Sequence, residues 1–404
     1  MFSELICTAE TITSQGSALV RVTNACELEG KKYFVKNACP GDILLCKVTS
    51  PEKNSAEIVK ILEASPDRVQ AVCHFCSAAN EGCGGCPLMH IAYNAQVRLK
   101  TDLLKNILLH GGIKNLPDIS VEESSPFEYR NRIELHKIIA HNANPAKKRI
   151  RKLESAKENK PEFGFMAEKS NNIIPVNDCV VCDPVIRNAL REKTIQAPPD
   201  KDRFTIYGRN NLLLCESEKD FGKFKFLDKD IKVSAPVFFQ SNGDLLEKLI
   251  SDIIKTAEQA NTKLPAGDFY CGVGTFGVFL QDCFLNLDLF DQNKNAVSIA
   301  RENVRSKTAS FYALNDTAWV KITGSKKTYG FVTVDPGRSG LSSVMCNWLC
   351  ESKPAVLCYV SCNPSALSRD SALLLAASYK LVSLKFYDFY PQTAHIESLA
   401  VFML

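Results

Sequence analysis

The sequence has no apolar run long enough to cross a membrane. Its longest purely apolar stretches, residues 355–360 and 372–377, are far shorter than the about 20 residues that a transmembrane helix needs. The first residues, Met-Phe-Ser-Glu-Leu, also lack the basic and apolar regions of a secretory signal peptide. We therefore expect a cytoplasmic protein with no membrane partner.

The composition shows neither a strong charge excess nor complete disulfide pairing. Lys and Arg number 49 against 45 Asp and Glu, and this net charge of +4 neither requires nor excludes nucleic acid. The 17 cysteines are an odd number, so they cannot all pair, and clustered cysteines in such a chain indicate metal binding or catalysis. The hydrophobic fraction of 45% is typical of a globular protein.

The pattern along the 404 residues predicts a multidomain α/β protein of three units. Residues 1–63 hold short strand-like runs between turn residues, which predicts a small OB-like β-barrel; such barrels often bind oligonucleotides, but a docking or stabilising role is equally compatible. Residues 64–232 have a mixed α+β pattern with a cysteine-rich loop. Residues 233–404 alternate strands and helices, which predicts a parallel, doubly wound, Rossmann-like sheet with ligands at the carboxyl ends of its strands.

A basic stretch interrupts the middle unit at residues 147–160, with seven Lys or Arg and few apolar residues. Its simplest interpretation is a solvated hairpin tip. A role in contacting phosphate groups is the alternative.

A glycine turn in the third unit predicts a nucleoside site. Gly272 and Gly274 follow a short strand and allow the backbone to approach a ligand closely. Asp291, about 20 residues further on, is suited to bind ribose hydroxyls. Because Gly277 adds a third glycine, the glycines alone leave NAD open as the ligand.

A second constellation in this unit indicates covalent catalysis. Cys362 lies between a buried strand and a helix, where helix amides can lower the pKa of a thiol, although most cysteines in such chains are simply small buried residues. Asp335 ends another strand, and His395 and Glu397 lie close to the last one. A cysteine and two carboxylates converging at strand ends form a plausible covalent site. This third of the chain has no partner for hydride transfer, which favours S-adenosylmethionine over NAD.

Several motifs, in this order and spacing, make the chain resemble the RNA uracil-C5 methyltransferase family, in particular its branch with an N-terminal TRAM domain and an iron–sulfur cluster that acts on 23S rRNA. Besides the glycine turn, they are Phe34-Val-Lys-Asn-Ala-Cys-Pro-Gly41, Tyr129-Arg-Asn-Arg132, Phe238-Phe-Gln-Ser-Asn242, Asp335-Pro-Gly-Arg338, Ser361-Cys-Asn-Pro364 and His395-Ile-Glu397. The chain departs from the family pattern at Gly337, usually proline, and at Asp291, usually glutamate.

The resemblance implies a mechanism and a set of site residues. Cys362 would add to C6 of a uracil, C5 would take a methyl group from S-adenosylmethionine, and Glu397 would remove the C5 proton. His395 would orient its loop. The target base would leave its stack to reach the pocket, and the protein would act as a monomer on RNA. The residues at matching cofactor positions are Gln240, Tyr270, Thr275, Asp291, Asn315 and Asp335.

The cysteine-rich loop carries four thiols, Cys73, Cys76, Cys83 and Cys86. Their spacing alone is compatible with tetrahedral zinc or with three ligands of a [4Fe-4S] cluster, and zinc is the more common outcome. The resemblance instead implies a [4Fe-4S] cluster with a structural or RNA-docking role. Its implied ligands are Cys76, Cys83, Cys86 and Cys179, with Cys73 and Cys182 as rivals.

Three other functions remain open at this point. The same chemistry could act on tRNA. The chain could be an RNA-binding iron–sulfur protein without catalysis, although Cys362, Glu397 and Gln240 are all present. An NAD-linked oxidoreductase is the third.

Overall fold

The structure is a computed structural model of the chain. It describes residues 4–24, 27–76, 82–138, 163–168, 171–216, 221–323 and 327–404. The basic segment 147–160 lies outside these ranges.

The N-terminal residues form a closed five-stranded barrel, which confirms the predicted small barrel. Its strands are β1 (Glu4–Ile12), β2 (Ala18–Val22), β3 (Lys32–Val35), β4 (Ile43–Ser50) and β5 (Ser55–Glu63). Alternate residues of β1, such as Leu5, Cys7 and Ala9, point into the barrel and are buried. The period of two is that of a strand with one buried face.

The middle of the chain forms a five-stranded antiparallel sheet in the order β11-β10-β7-β8-β9. Its strands are β7 (Arg132–Lys137), β8 (Phe163–Met166), β9 (Ile173–Pro175), β10 (Arg203–Arg209) and β11 (Leu212–Cys215). Helix α2 (Pro184–Arg191) packs on this sheet through Ile186 and Leu190. A separate hairpin of β12 (Phe221–Phe226) and β13 (Lys229–Ser234) joins the C-terminal core.

An eight-stranded sheet in the order β16-β15-β14-β17-β18-β20-β19-β6 dominates the rest of the chain. Its strands are β6 (Ile119–Glu122), β14 (Ala266–Phe269), β15 (Leu287–Asp291), β16 (Ala309–Ala313), β17 (Phe331–Val334), β18 (Val356–Ser361), β19 (Lys380–Tyr387) and β20 (Glu397–Met403). Both faces are covered: Val356, Cys358 and Val360 of β18 enter one core layer, while Leu357 and Tyr359 enter the other.

Five neighbouring strands, from β16 to β18, run parallel, as predicted. The prediction of a wholly parallel sheet is wrong at the other end, because β20 pairs antiparallel with both β18 and β19. The chain order reverses between β14 and β17, and ligands of such sheets bind at this reversal point, beyond the carboxyl ends of the strands.

Helices cover the sheet. The remaining ones are α1 (Tyr93–His110), α3 (Gly243–Ala257), α4 (Gly277–Leu280), α5 (Lys294–Asn303), α6 (Asp316–Ile322), α7 (Ser343–Ser352) and α8 (Pro364–Ala376). Asn242, Asn293 and Asn363 cap the starts of α3, α5 and α8, each accepting hydrogen bonds from backbone N–H groups that the helix leaves unpaired. No helix of the described residues is long and apolar enough to span a bilayer.

Two elements of the predicted middle unit lie with the C-terminal sheet. Strand β6 pairs parallel with β19 at the sheet edge, and α1 packs beside α8. The hydrophobic pattern of so short a strand gives no sign of which sheet it joins, since pairing partners far apart in the chain are set by packing. The domain limits at residues 63/64 and 232/233 stay a prediction.

Candidate active site

A cleft of about 620 Å³ lies at the carboxyl edge of the parallel strands. Its walls come from the ends of β14, β15, β17 and β18, from the start of β20 and from the segment before α3. Seven of the eight predicted catalytic and cofactor residues line it: Gln240, Tyr270, Thr275, Asp291, Asp335, Cys362 and Glu397.

The glycine turn after β14 forms one end of the cleft. Tyr270, Gly272 and Gly274 all have positive φ angles, of 60°, 53° and 79°, a backbone region that glycine enters without strain. The N–H of Gly272 donates to Asp291 Oδ2 over 3.0 Å, and that of Asn293 donates to Asp291 Oδ1 over 2.8 Å. The turn and the acidic residue at the end of β15 are thereby fixed to each other.

Asp335 and Gln240 face each other deeper in the cleft, with Gln240 Nε2 3.5 Å from Asp335 Oδ2. Burial raises the pKa of Asp335 to about 7, with a smaller contribution from the charge of Asp291 and against the opposing hydrogen bond from Gln240. Gln240 Oε1 is buried without a hydrogen-bond partner among the described residues. A buried acceptor left open in a cleft favours a ligand that donates hydrogen bonds there.

Asp268 holds the glycine turn through a hydrogen bond and was not predicted as a site residue. Its Oδ2 accepts the N–H of Gly277 at 2.8 Å, and burial raises its pKa to about 8. An acidic residue inside an otherwise apolar strand just before a glycine turn was the available signal, since a buried carboxylate needs a donor.

Cys362 follows β18 directly, and its neighbour Asn363 fixes the local backbone. Asn363 Oδ1 caps α8 by accepting from Ser365 N, while Asn363 Nδ2 donates to the carbonyl of Arg338 at 2.7 Å. The predicted lowering of the Cys362 pKa is wrong: burial, followed by the charges of Glu397 and Asp335, raises it to about 12. Loss of solvation and two carboxylates outweigh the charge of Arg338 and a backbone hydrogen bond, which both lower the pKa.

Glu397 is the first residue of β20 and is 3% exposed. Burial and then the charge of Asp335 raise its pKa well above the ordinary value. Its Oε1 has no hydrogen-bond partner within the described part of the chain. A carboxyl group with a raised pKa and a free oxygen is suited to accept a proton from a bound substrate.

Cationic and aromatic side chains also line the cleft, and no role was predicted for them. Arg130, Arg132 and Arg338 line it together with Tyr390. The Arg132 guanidinium lies 5.5 Å from the ring centre of Phe238, which is 58% exposed. The three arginines and Phe238 belong to the family-like motifs, which was their only sequence signal, whereas Tyr390 lies outside those motifs. Positive charge beside an exposed ring is a suitable surface for a nucleotide.

His395 packs edge-on against Tyr390, with ring centres 5.7 Å apart. Burial, and then Arg338 and Arg130, lower the pKa of His395 to about 4. The imidazole is therefore neutral near pH 7, which agrees with a role in loop orientation.

Asn315 does not line the cleft. It caps α6 by accepting from Ala318 N at 2.8 Å, and the next residue, Asp316, accepts a hydrogen bond from the hydroxyl of Tyr270 at 3.0 Å. The segment thus reaches the cleft through Tyr270.

The cysteine-rich loop lies against the middle sheet. Cys76 and Cys83 form an isolated β-bridge, the Cys76 thiol donates to the Cys86 carbonyl at 3.5 Å, and Cys179 packs in the same cluster. A hydrogen bond with Cys182 lowers the pKa of Cys179 to about 7. Thiols are ligands for both zinc and iron–sulfur clusters, so the donor chemistry fits. Among the described residues, however, no three His, Cys, Asp or Glu side chains are arranged to hold a metal.

The architecture defines the class of protein. Over its whole length the structure resembles a tRNA (uracil-54, C5)-methyltransferase of Pyrococcus abyssi solved with S-adenosyl-L-homocysteine, with a TM-score of 0.70, 22% identity, and coverage of 99% of this chain and 100% of that one. This similarity shows the fold: a methyltransferase domain with an N-terminal small barrel.

Sequence comparison then gives the family. The family model described as tRNA (Uracil-5-)-methyltransferase matches residues 223–403. An RNA methyltransferase of Treponema denticola is 31% identical, over 93% of this chain and 94% of its own. A 23S rRNA (uracil(1939)-C(5))-methyltransferase of Shewanella piezotolerans is 26% identical, over 93% and 92%. The chain belongs to the RNA uracil-C5 methyltransferase family, as the motifs predicted. Membership favours S-adenosylmethionine over NAD as the cofactor.

Proposed function

We propose that the protein methylates C5 of a uridine in 23S rRNA with S-adenosylmethionine as methyl donor, through a covalent bond between Cys362 and C6 of the base. The observation that supports this most is the position of Cys362 and Glu397 in one cleft with the glycine turn and Asp291. A nucleophile, a proton acceptor and a nucleoside site lie together.

The proposed reaction needs each of these groups in turn. The Cys362 thiolate adds to C6, and the electron pair of the C5–C6 double bond moves into an enolate that makes C5 nucleophilic. S-adenosylmethionine would supply an electrophilic methyl group: C5 takes the methyl group as the S–CH3 bond breaks, and the electron pair of that bond stays on sulfur in the leaving S-adenosyl-L-homocysteine. Glu397 then accepts the C5 proton, the double bond re-forms, and the C6–S bond breaks to release the thiolate.

The cofactor is proposed to lie along the glycine turn. Asp291 is fixed by two backbone N–H groups and is suited to hold ribose hydroxyls. Gln240 and Asp335 offer an open amide oxygen and a buried carboxyl group beside it. Carboxylates near a cationic sulfonium would be stabilised by its charge. Thr275 and Tyr270 complete this half of the cleft.

The substrate is proposed to be rRNA and not tRNA. The relatives include a 23S rRNA enzyme that aligns with 93% of this chain, whereas the structural neighbour acts on tRNA. Mapping of 5-methyluridine in RNA from cells with and without the protein tests this proposal. Loss of a single 23S rRNA signal supports it, and loss of a tRNA signal with intact 23S rRNA contradicts it.

The covalent mechanism can be tested directly, and the same experiment distinguishes the enzyme from a non-catalytic RNA-binding protein. RNA with 5-fluorouridine at the target position retains a C–F bond that no base can remove, so a methylated adduct accumulates. We expect a stable complex of protein and RNA with labelled S-adenosylmethionine, absent in Cys362→Ala. RNA binding without methyl transfer or adduct would instead support the non-catalytic function.

We further propose that Cys76, Cys83, Cys86 and Cys179 hold a [4Fe-4S] cluster with a structural role, since methyl transfer needs no electrons. Cys76, Cys86 and Cys179 pack in one cluster, and Cys83 pairs with Cys76 in a β-bridge, which supports this. Cluster binding would have to draw the thiols closer. Anaerobic purification tests it: about four irons per chain are expected. Stoichiometric zinc, or no metal at all, would contradict it.

A further inference from the structure

The segment between β19 and β20, residues 388–396, leads directly into Glu397 and is held by helix α1. Lys100 of α1 has a fully buried side chain. Its ammonium group donates to Asp388 Oδ1 at 2.6 Å and to the carbonyl of Tyr390 at 3.0 Å. Lys100 is not among the residues that line the cleft.

A second pair repeats this arrangement four residues earlier on the same helix face. Gln96 Nε2 donates to Gln392 Oε1 at 2.9 Å, and the backbone N–H of Gln392 donates back to Gln96 Oε1 at 2.8 Å. Gln392 has a positive φ of 68°, a conformation that non-glycine residues keep only when their surroundings enforce it. The same amide of Gln96 also bonds to the carbonyls of Leu88 and Ile91.

From these contacts, further hydrogen bonds continue along the segment towards Glu397, the proposed proton acceptor. The Tyr390 carbonyl that accepts from Lys100 also accepts from the hydroxyl of Thr393 at 2.8 Å. Thr393 Oγ1 in turn accepts the backbone N–H of His395 at 3.2 Å, and Glu397 lies two residues further on. The carboxyl group of Glu397 has no bonded partner at Oε1 among the described residues, so its position depends on the backbone that carries it.

Stability alone does not account for the buried ion pair. Apolar side chains of similar volume generally serve a core as well as a buried pair of charges, whose loss of solvation offsets much of their attraction. What the pair adds is a fixed geometry, because an ammonium group bonded to two oxygen atoms holds both at a set distance.

On the basis of the proposed uracil methylation, we propose that Lys100 and Gln96 are positioning residues that hold Glu397 in place to remove the C5 proton. They act through residues 388–396 and touch neither the nucleophile nor the base. The reaction steps differ in their need for this alignment. Addition of Cys362 and methyl transfer do not use Glu397, whereas proton removal and release of the thiolate do.

The double variant Lys100→Met/Asp388→Leu tests this, since it replaces the buried charges with apolar groups. We expect turnover of uridine RNA to fall by about tenfold or more, because small misplacements of a catalytic group have effects of that order. The rate of adduct formation with 5-fluorouridine RNA should change by less than about twofold, because that trapped product forms before the base acts. With uridine RNA the unresolved covalent complex should accumulate.

A second variant guards against misfolding. Gln392→Gly keeps the backbone N–H and favours the positive φ, but loses the side-chain bonds to Gln96 Nε2 and to the carbonyl of Pro126. The same split between turnover and adduct formation is expected. Lys105→Met, at an exposed position of the same helix, is the matched control and should behave as wild type. Thermal melts verify folding of each variant.

Equal losses of adduct formation and turnover in both variants would show a merely structural role and overturn the proposal, as would unchanged turnover in both. Failure of the proposed function is distinguishable, because the wild-type protein itself would then form no adduct.

Discussion

Cys362 directly follows the end of β18, and Glu397 is the first residue of β20. The two residues lie at the same edge of the sheet because the strands pair antiparallel, with Ser361 opposite Ser398. The reversed direction of β20 brings its first residue to the edge at which β18 ends. A parallel β20 would have carried Glu397 to the far end of the sheet. The proposed nucleophile and the proposed base are thus neighbours because of strand direction.

The geometry of the glycine turn predicts that a substitution at Gly274 lowers stability, and a substitution at Gly337 serves as the control. A Cβ atom at Gly274 would lie 3.1 Å from the Cβ of Ala300, at a φ of +79°. Gly274→Ala should therefore lower the free energy of unfolding by about 1–3 kcal/mol. Gly337→Ala meets no atom within 4 Å and should be neutral or stabilise by up to about 1 kcal/mol. Chemical denaturation measures both, and equal effects would contradict the described turn.

The raised pKa of Asp335 predicts a pH-dependent stability difference. Its pKa is about 7 in the folded protein against 3.8 for the free side chain. The folded state therefore binds the proton more tightly, and this contribution is complete below about pH 4 and is lost as the pH rises through 7. Asp335→Asn, which stays neutral, should melt at a higher temperature than wild type at pH 8, with the difference shrinking towards pH 5. A difference that grows on acidification would contradict this.

The raised pKa of Cys362, about 12, predicts slow alkylation near neutral pH. Because only the thiolate reacts, the rate for this residue should rise by about tenfold per pH unit over the accessible range. Glu397 and Asp335 contribute to the raised pKa, so a cation bound in the cleft should lower it. S-adenosylmethionine should then accelerate alkylation more than neutral S-adenosyl-L-homocysteine. Peptide mass spectrometry reads out the site.

Fast alkylation at neutral pH that ignores both ligands would contradict the described electrostatics. The Cys362→Ala variant is the control that shows how much alkylation comes from the other cysteines.

The parts of the site that lie within one strand–turn–helix unit could be predicted from the sequence. Gly272, Gly274 and Cys362 each follow a strand, and the alternation of strands and helices brings such positions to one edge. The pKa of Cys362 could not be predicted, because Glu397 and Asp335 reach it from other strands. The direction of β20 and the place of β6 in the sheet also escaped prediction, since both depend on pairing between distant segments.

The anchoring of residues 388–396 escaped prediction for the same reason. In the sequence, Lys100 looks like an ordinary polar residue of an amphipathic helix. Its burial follows only from the packing of α1 against the C-terminal sheet, through the ion pair with Asp388. A lysine that is buried because of a partner far along the chain has no local signature.

The most direct test measures methyl transfer from labelled S-adenosylmethionine to uridine-containing RNA by Cys362→Ala and Cys362→Ser. Both variants should fold and bind the methyl donor like wild type, yet transfer methyl groups at least about a thousandfold more slowly, as loss of a nucleophile does elsewhere. Methylation of the RNA by either variant at the wild-type rate would contradict the covalent account.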